Sequence, residues 1–440
     1  MLLLHISDIH FKYPECTMPY DADRPFRTLM VQDVRERVKT LGPVDGILVT
    51  GDIANRAQAE EYEAAFTWLM ELAKAGGCPR PQEQIFVVPG NHDINRDTIK
   101  RKPAIQNVQS AIKSANDINR EGVLRVQFSD ETTGRTLFEP LDAYNDFAKF
   151  FNCQVYAPTH LCWKQDLKLN NGILLRLHGL TSTLLSGAMQ ETGSQDEKKG
   201  DLYLSPLQTV LDPVEDVINL VMAHHPPDWF SDHDDIDDAI QGRSALHLFG
   251  HKHRQRIQSD HLYMRFSAGA VNPDRREAAW DPGYNLLNLT TTTEGEGKMN
   301  LEIEAHILKW QTNPDKYVPK LTVDNKSTFR HTIQLQNCSA KKDSGIPTAK
   351  IEQSLPLKKD VNTEVALEVV MNNESTRNLV KRFWNLTSSQ RREISLHLGL
   401  IEVADMKIPE PERYGRALLR AGEKEMLEQL GNEIEQRENI

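Results

Sequence analysis

An α/β fold, with a parallel sheet covered by helices and a small helical module behind it, is what this sequence predicts. Three observations carry the prediction. Short apolar runs bounded by turn residues recur at 2–6, 47–49, 85–88, 220–223 and 246–249, the length expected of buried strands. Between the first three lie stretches with helical spacing, first Met30, Val34, Val38 and Leu41, then Tyr62, Ala65, Phe66, Leu69, Leu72 and Ala73. Towards the carboxyl end the pattern turns helical throughout.

Taken in order, residues 1–93 read as βαβαβ, an alternation that implies parallel strands. Residues 97–172 are mostly helical and polar, with an apolar patch at 137–151, and read as an insertion capping a site. Strand signals return at 173–177. A helix is expected to start at Ser205-Pro206, with the serine as N-cap and the proline in first position. Two further strands, at 262–266 and 284–289, end the core near 290. A β-rich extension covers 291–338, where 301–307 alternates with period two. Residues 339–362, with Gly345 and two prolines, suit a linker. The module at 363–440 places Leu379, Phe383 and Leu386 on one face. Thr387-Ser388-Ser389-Gln390 reads as a capping box before Ile394 and Leu398, with Gly399 closing that helix. Pro411 opens a last helix carrying Tyr414, Leu418, Met426, Leu430 and Ile434.

The bulk composition narrows the class. A chain of 440 residues has room for about three domains. Its hydrophobic share of 39% and charged share of 26% match a soluble globular protein. No run approaches the roughly 18 apolar residues of a membrane span, so no membrane partner is expected. The opening residues lack the basic region and cleavage site of a signal peptide. Five cysteines, an odd number with no Cys-x-x-Cys pair, favour reduced thiols and a cytoplasmic setting. The net charge of −11 argues against a broad basic surface for polyanions, although bound metals can neutralise a phosphate locally.

The chemistry sits where the strands end. The five apolar runs are followed by Ser7-Asp8-Ile9-His10, Gly51-Asp52-Ile53-Ala54-Asn55, Gly90-Asn91-His92-Asp93, His224-His225-Pro226-Pro227 and Gly250-His251-Lys252-His253. Loops at the carboxyl ends of parallel strands converge on one crevice, so these would deliver carboxylates, an amide and several imidazoles to one place. Phosphate-ester hydrolysis needs a nucleophile at neutral pH, charge neutralisation and a proton for the leaving group. Two metals about 3.5–4 Å apart supply the first two. Mixed oxygen and nitrogen ligands suit Mn²⁺, Fe or Zn²⁺ better than Ca²⁺.

The five blocks, in this order across residues 8–253, resemble the calcineurin-like metallophosphoesterase family. Its pattern is Asp-x-His, Gly-Asp-x-x-Asp, Gly-Asn-His-Asp/Glu, His, and Gly-His-x-His. The resemblance covers about two thirds of the chain. It implies a β-sandwich flanked by helices. By motif, Asp8 and His10 would bind one metal with His253, Asn91, His224 and His251 would bind a second, and Asp52 would bridge them. His92 would face the leaving oxygen as general acid, and a metal-bridging hydroxide would attack phosphorus in line. The surrounding phrases Leu180-Thr181-Ser182, His224-His225-Pro226-Pro227, Ser267-Ala268-Gly269-Ala270 and Pro282-Gly283-Tyr284-Asn285 resemble the branch holding class III cyclic-nucleotide phosphodiesterases.

One position departs from the family. Asn55 stands where the second acid of Gly-Asp-x-x-Asp is expected. An amide can orient His92 but cannot raise its pKa by charge, which weakens a protein-phosphatase reading. Arg56, beside it, is a candidate phosphate contact. Which of His224 and His225 binds metal stays open, with His224 favoured by alignment.

Other signals take plainer readings. His5, His178 and His247 lie inside strand-like runs and read as core or sheet-edge residues. The acidic stretch 232–238 reads as a solvated loop, and Arg275-Arg276 and Arg391-Arg392 as solvated charge. Phe383-Trp384 and the C-terminal leucines read as a small core.

The expected function is a dinuclear phosphodiesterase, most simply Mn²⁺-dependent, acting on nucleic acid or nucleotides. A cyclic or other small nucleotide is the alternative, and a phosphoprotein phosphatase a weaker one. The 363–440 module faintly resembles helical adaptor domains of prokaryotic defence effectors, implying an antiviral setting and a protein partner.

Overall fold

A computed structural model describes residues 1–156, 160–190, 194–195, 197–272, 282–294 and 298–339. Towards the carboxyl end it describes 379–438 apart from 381, 385, 387, 402–409 and 425. The linker 339–362 lies almost wholly outside these residues, as do Thr387 of the capping box and Arg275-Arg276.

The chain divides into two units, Met1–Ser344 and Gly345–Ile440. The first begins with β1 (Leu2–Ile6), α1 (Arg24–Leu41), β2 (Gly46–Val49), α2 (Ala59–Ala75), α3 (Pro81–Gln84) and β3 (Ile85–Val87). The three strands run parallel, with Leu4 beside Ile47 and Leu48 beside Phe86. Every residue of the three is buried, which is why they read as continuous apolar runs.

The insertion follows as α4 (Arg96–Arg101), α5 (Pro103–Ser114), α6 (Asp117–Phe128), α7 (Glu131–Phe138) and α8 (Asp142–Ala148). Asn95, Asn116 and Asp130 cap α4, α6 and α7 with their side chains, satisfying amides that have no partner within the helix. The helical run stops at Phe151, short of the expected 172. Cys162–Lys168 is instead a strand, β4. Only Trp163 of its seven residues is buried, so this edge strand has too little apolar alternation to be read from sequence.

The second sheet adds β5 (Leu174–Leu180), β6 (Val217–Met222), α9 (His233–Gln241), β7 (Leu246–Phe249), β8 (Arg256–Ser259) and β9 (Met264–Ser267). Its order is β4-β5-β6-β7-β9-β8, with β5, β6, β7 and β9 parallel. The helix expected at Ser205-Pro206 is a single 3₁₀ turn, Pro206–Thr209, capped by the Ser205 hydroxyl. The acidic stretch 232–238 is mostly helical: Ile236 and Ile240 of α9 turn inward while Asp234 and Asp235 stay exposed.

The long hairpin β10 (Gly283–Glu294) and β11 (Lys298–Gln311) returns to the first sheet, followed by β12 (Lys316–Pro319) and β13 (Phe329–Ser339). Residue 290, where the sequence reading ends the core, falls inside β10. That strand pairs with β1 on one side and β11 on the other, so the strands from 283 to 339 are continuous with the sheet that carries β1. The first sheet runs β12-β11-β10-β1-β2-β3, with β13 on β11.

The two mixed sheets form a sandwich flanked by helices. One apolar cluster holds residues of both, including Leu4, Leu48, Leu177, Leu220 and Leu248. Trp163, buried between them, donates its indole N–H to the Val87 carbonyl at 2.9 Å. His5, His178 and His247 are all buried strand residues.

The second unit contains α10 (Ser388–His397), α11 (Glu410–Glu423) and α12 (Leu427–Glu438) around Phe383, Ile394, Tyr414, Leu418, Leu430 and Ile434. Gly399, at φ 60°, follows α10. The single last helix expected from Pro411 is two. The Met426 amide reaches back to the Ala421 carbonyl at 2.8 Å, a helix-ending bond of the Schellman type, and the chain restarts at Leu427. Arg391 lies over the Trp384 and Tyr414 rings at 5.2 and 5.6 Å.

Candidate metal centre

The five motif loops follow β1, β2 and β3 of one sheet and β6 and β7 of the other. They meet where the carboxyl ends of these strands face one another. Asp8, His10, Asp52, His251 and His253 all take positive φ, between 50° and 64°. A non-glycine residue held there costs about 1–3 kcal/mol, so surrounding bonds must over-determine it. The Asp8 amide donates to the Gly51 carbonyl at 3.0 Å, and the Ile9 and His10 amides share the Asp52 carbonyl at 2.8 and 3.0 Å. Two glycines permit this crowding. A Cβ at Gly90 would lie 2.2 Å from Asp52, and one at Gly250 would lie 1.9 Å from the Ser7 hydroxyl.

The donor atoms form two groups. Asp8, His10, Asp52 and His253 present ligand atoms within 4.8 Å of one another, as do His224, His225 and His251. In the first group His253 Nε2 stands 3.2 Å from Asp8 Oδ1. In the second, Asn91 Oδ1 lies 2.9 Å from His224 Nε2 and 3.1 Å from His251 Nδ1. Asp52 joins the groups, its Oδ2 lying 3.6 Å from His10 Nε2 and 3.4 Å from His224 Nε2. Its Oδ1 is held by the His92 amide at 2.8 Å. All eight residues singled out by sequence, Asp8, His10, Asp52, Asn91, His92, His224, His251 and His253, therefore share one place.

Electrostatics fits a cation here. Burial alone would raise the Asp52 carboxyl, but His224, His92 and His10 outweigh it and hold it well below the usual range. Burial works against charging His224, yet Asp52 and Asp8 push it up to about 10. His253 rises against burial for the same reason, beside Asp8. Buried carboxylates require compensating positive charge, and these draw it to the very atoms that face them. His10, in contrast, is pushed down to about 3 by burial, which keeps it neutral with a lone pair to give. The Thr50 carbonyl accepts the Nδ1 proton of His224 at 2.8 Å, so Nε2 is the nitrogen aimed into the cluster, and a cation that displaced its proton would meet its lone pair there.

His225 stands one step back. Its Nε2 faces the Glu197 carboxylate at 3.2 Å and its Nδ1 the Ser182 hydroxyl at 2.9 Å. The carboxylate accepts, so Nε2 carries the proton and Nδ1 receives the hydroxyl hydrogen. Both ring nitrogens of His225 thus already face protein partners, although the distances alone group His225 with His224 and His251. Its ring packs on His251 at 4.5 Å between centroids, and Trp229 meets His251 at 4.0 Å.

Other supporting residues carry little or no sequence signal. Asp93, fully buried, accepts from the amides of Gly90, Ile53 and Ala54 at 2.9, 3.2 and 2.9 Å and from the Tyr62 hydroxyl at 3.0 Å. Burial pushes its carboxyl up to about 6. Glu61 Oε2 gathers the amides of Asn55, Arg56 and Gln58 at 3.2, 2.9 and 3.1 Å, and so fixes the chain after Asp52. Asp93 was visible as the end of a motif, whereas Glu61, just before the helical face read from Tyr62, was not singled out. Nothing in the aperiodic stretch around Glu197 announced it.

Comparison with known proteins places this geometry. The model of the calcineurin-like phosphoesterase family matches residues 1–255, more than half of the chain. The model of the GTPase-associated adaptor domain matches residues 375–436. An uncharacterised metallophosphoesterase-like protein, YydB of Bacillus subtilis (strain 168), is 24% identical over 233 residues, which is 50% of this chain and 42% of that protein. The chain thus spans less than half the length of this curated relative. Among solved structures, wild-type Vps29 from Entamoeba histolytica complexed with zinc is 11% identical, with 76% of this chain and 99% of that one covered at a TM-score of 0.27. GAP50 of Plasmodium is 8% identical, covering 77% and 91% at 0.37. A putative 5′-nucleotidase from Staphylococcus aureus is 11% identical, covering 74% and 56% at 0.37.

Proposed function

The chain belongs to the calcineurin-like phosphoesterase family, and with that as premise we propose that it is a dinuclear metal-dependent phosphodiesterase of nucleic acid or nucleotides. The observation that carries this is the position of Asp52, one carboxylate oxygen of which lies between His10 Nε2 and His224 Nε2 at 3.6 and 3.4 Å. That is where a bridging ligand belongs. Asp8, His10 and His253 would hold one divalent cation and Asn91, His224 and His251 the other, Mn²⁺ suiting the mixed oxygen and nitrogen set, with Fe or Zn²⁺ as alternatives. When bound, such a pair neutralises phosphoryl oxygens and makes water nucleophilic at neutral pH.

The chain's own residues do the rest. His92 Nδ1 lies 3.0 Å from the Asn55 carbonyl, which only accepts, so the ring is pinned with Nε2 free to meet the leaving oxygen. As imidazolium it donates from both nitrogens and hands the leaving group its proton. Positive-φ loops and the Asp93 and Glu61 clamps hold the donors in place before substrate arrives.

The phrases around the ligand loops favour a cyclic or small nucleotide as the second reading. The adaptor-like module supports recruitment of a protein partner in a defence setting. Incubating Mn²⁺-loaded protein with single-stranded DNA, duplex DNA and RNA, beside Asp52→Asn, tests the activity. Cleavage present in the wild type and lost in the variant supports a nuclease. No cleavage by protein carrying two metals moves the reading to small diesters.

A further inference from the structure

A cavity of about 410 Å³ opens beside His92. Arg56, on the loop after β2, forms one wall. Arg96 and Lys100, one turn apart on α4, form another, and Asp97 is the single acid in the lining. Three cations against one acid is an unusual local balance in a chain of net charge −11. Among the described residues none of the three cations closes an ion pair with a carboxylate. Arg96 also reaches further in, its charge acting on the buried Glu197 that holds His225.

The cavity shares His92 with the metal centre but none of the candidate ligands. It therefore lies on the leaving-group side of the scissile phosphorus, not over the metals. We propose that it is a second phosphate subsite, which binds a phosphate carried by the leaving group. Guanidinium and ammonium groups grouped in this way suit a phosphate dianion. The substrate class this selects is a diester whose leaving alcohol bears its own phosphate. The next residue of a nucleic-acid strand supplies that, and so does a dinucleotide with a terminal phosphate. A cyclic nucleotide does not. The inference rests on the phosphodiesterase reading for its orientation, but the subsite is testable without turnover.

Two arms separate the questions. In the first, Mn²⁺-loaded full-length protein is given thymidylyl-thymidine, bare or with an added phosphate at its 5′ or its 3′ end. One terminal phosphate, the one on the leaving side, should raise kcat/KM by about tenfold. That gain should disappear in Arg96→Ala/Lys100→Glu and survive in Arg96→Lys. Equal rates on all three dinucleotides, or a gain that persists in the double variant, would overturn the subsite. In the second arm, thymidine 3′,5′-bisphosphate and free thymidine are titrated calorimetrically into metal-free protein. The bisphosphate should bind about tenfold more weakly to the double variant, and equal affinity contradicts the subsite whatever the turnover. Loss of all dinucleotide cleavage with this binding difference intact would sink the phosphodiesterase reading and leave the subsite standing. A strand-length preference with DNA points to nucleic acid, and full activity on the phosphorylated dinucleotide to short diesters.

Discussion

The imidazole of His92 is oriented by the main chain of Asn55, whose carbonyl oxygen lies 3.0 Å from Nδ1. The acid that the family pattern expects at this position is therefore dispensable for aiming the ring, because a backbone carbonyl accepts the same proton. Replacing His92 with Asn should lower kcat by about 10²–10⁴-fold, the range for a lost general acid. Metal content should match wild type, since His92 is not among the candidate ligands. A variant that turns over normally, or one that loses its metals, contradicts this role.

Glu197 and His225 act on the centre through His251. Glu197→Gln removes the charge that fixes the His225 proton on Nε2 and loosens the ring packed on His251. Supports of this kind are worth about 10–100-fold in metal affinity. A competition titration with a metal-binding dye should show a loss in that range. Unchanged affinity would make the Glu197–His225 contact a matter of packing alone.

Asp93 holds three backbone amides and the Tyr62 hydroxyl. Asp93→Ala leaves these buried donors unpaired, at about 1–3 kcal/mol for each. Urea unfolding of metal-free protein should show a loss of about 3 kcal/mol or more, and a loss below about 1 kcal/mol would mean that water or rearrangement replaces the clamp.

Acid should destabilise the first unit through neutral histidines in its strands. Burial pushes His5 down to about 3 and His178 down to about 4. Below the unfolded value of about 6.5 the unfolded chain binds protons that the folded chain refuses, so stability falls as pH falls. The slope is about 1.4 kcal/mol per pH unit for each group, ending near pH 4 for His178 and near pH 3 for His5. Substituting His178 by Gln should flatten the dependence between pH 6 and 4.5 by about one group's share. An identical slope would contradict the neutral assignment.

Much of this was legible because the candidate ligands follow strands buried on both faces, which read as bare apolar runs ending in polar residues. Leu2–Ile6 and Leu246–Phe249 are such strands. Cys162–Lys168 was not legible, since an edge strand with one buried side chain looks like polar helix or loop. The break at Met426 was hidden because Tyr414, Leu418, Leu430 and Ile434 keep helical spacing across it while sharing one core. Asn55 misled in a simpler way. Its side chain drew attention, whereas its carbonyl makes the contact, and main-chain bonds leave no trace in residue identity.

The central claim is that Asp52 joins two cations into one centre, and counting bound metal tests it most directly. Equilibrium dialysis against Mn²⁺, with metal per chain measured by mass spectrometry, should give two ions for the wild type and one or fewer for Asp52→Asn. Two ions retained by the variant, or fewer than two bound by the wild type, would contradict a bridged pair.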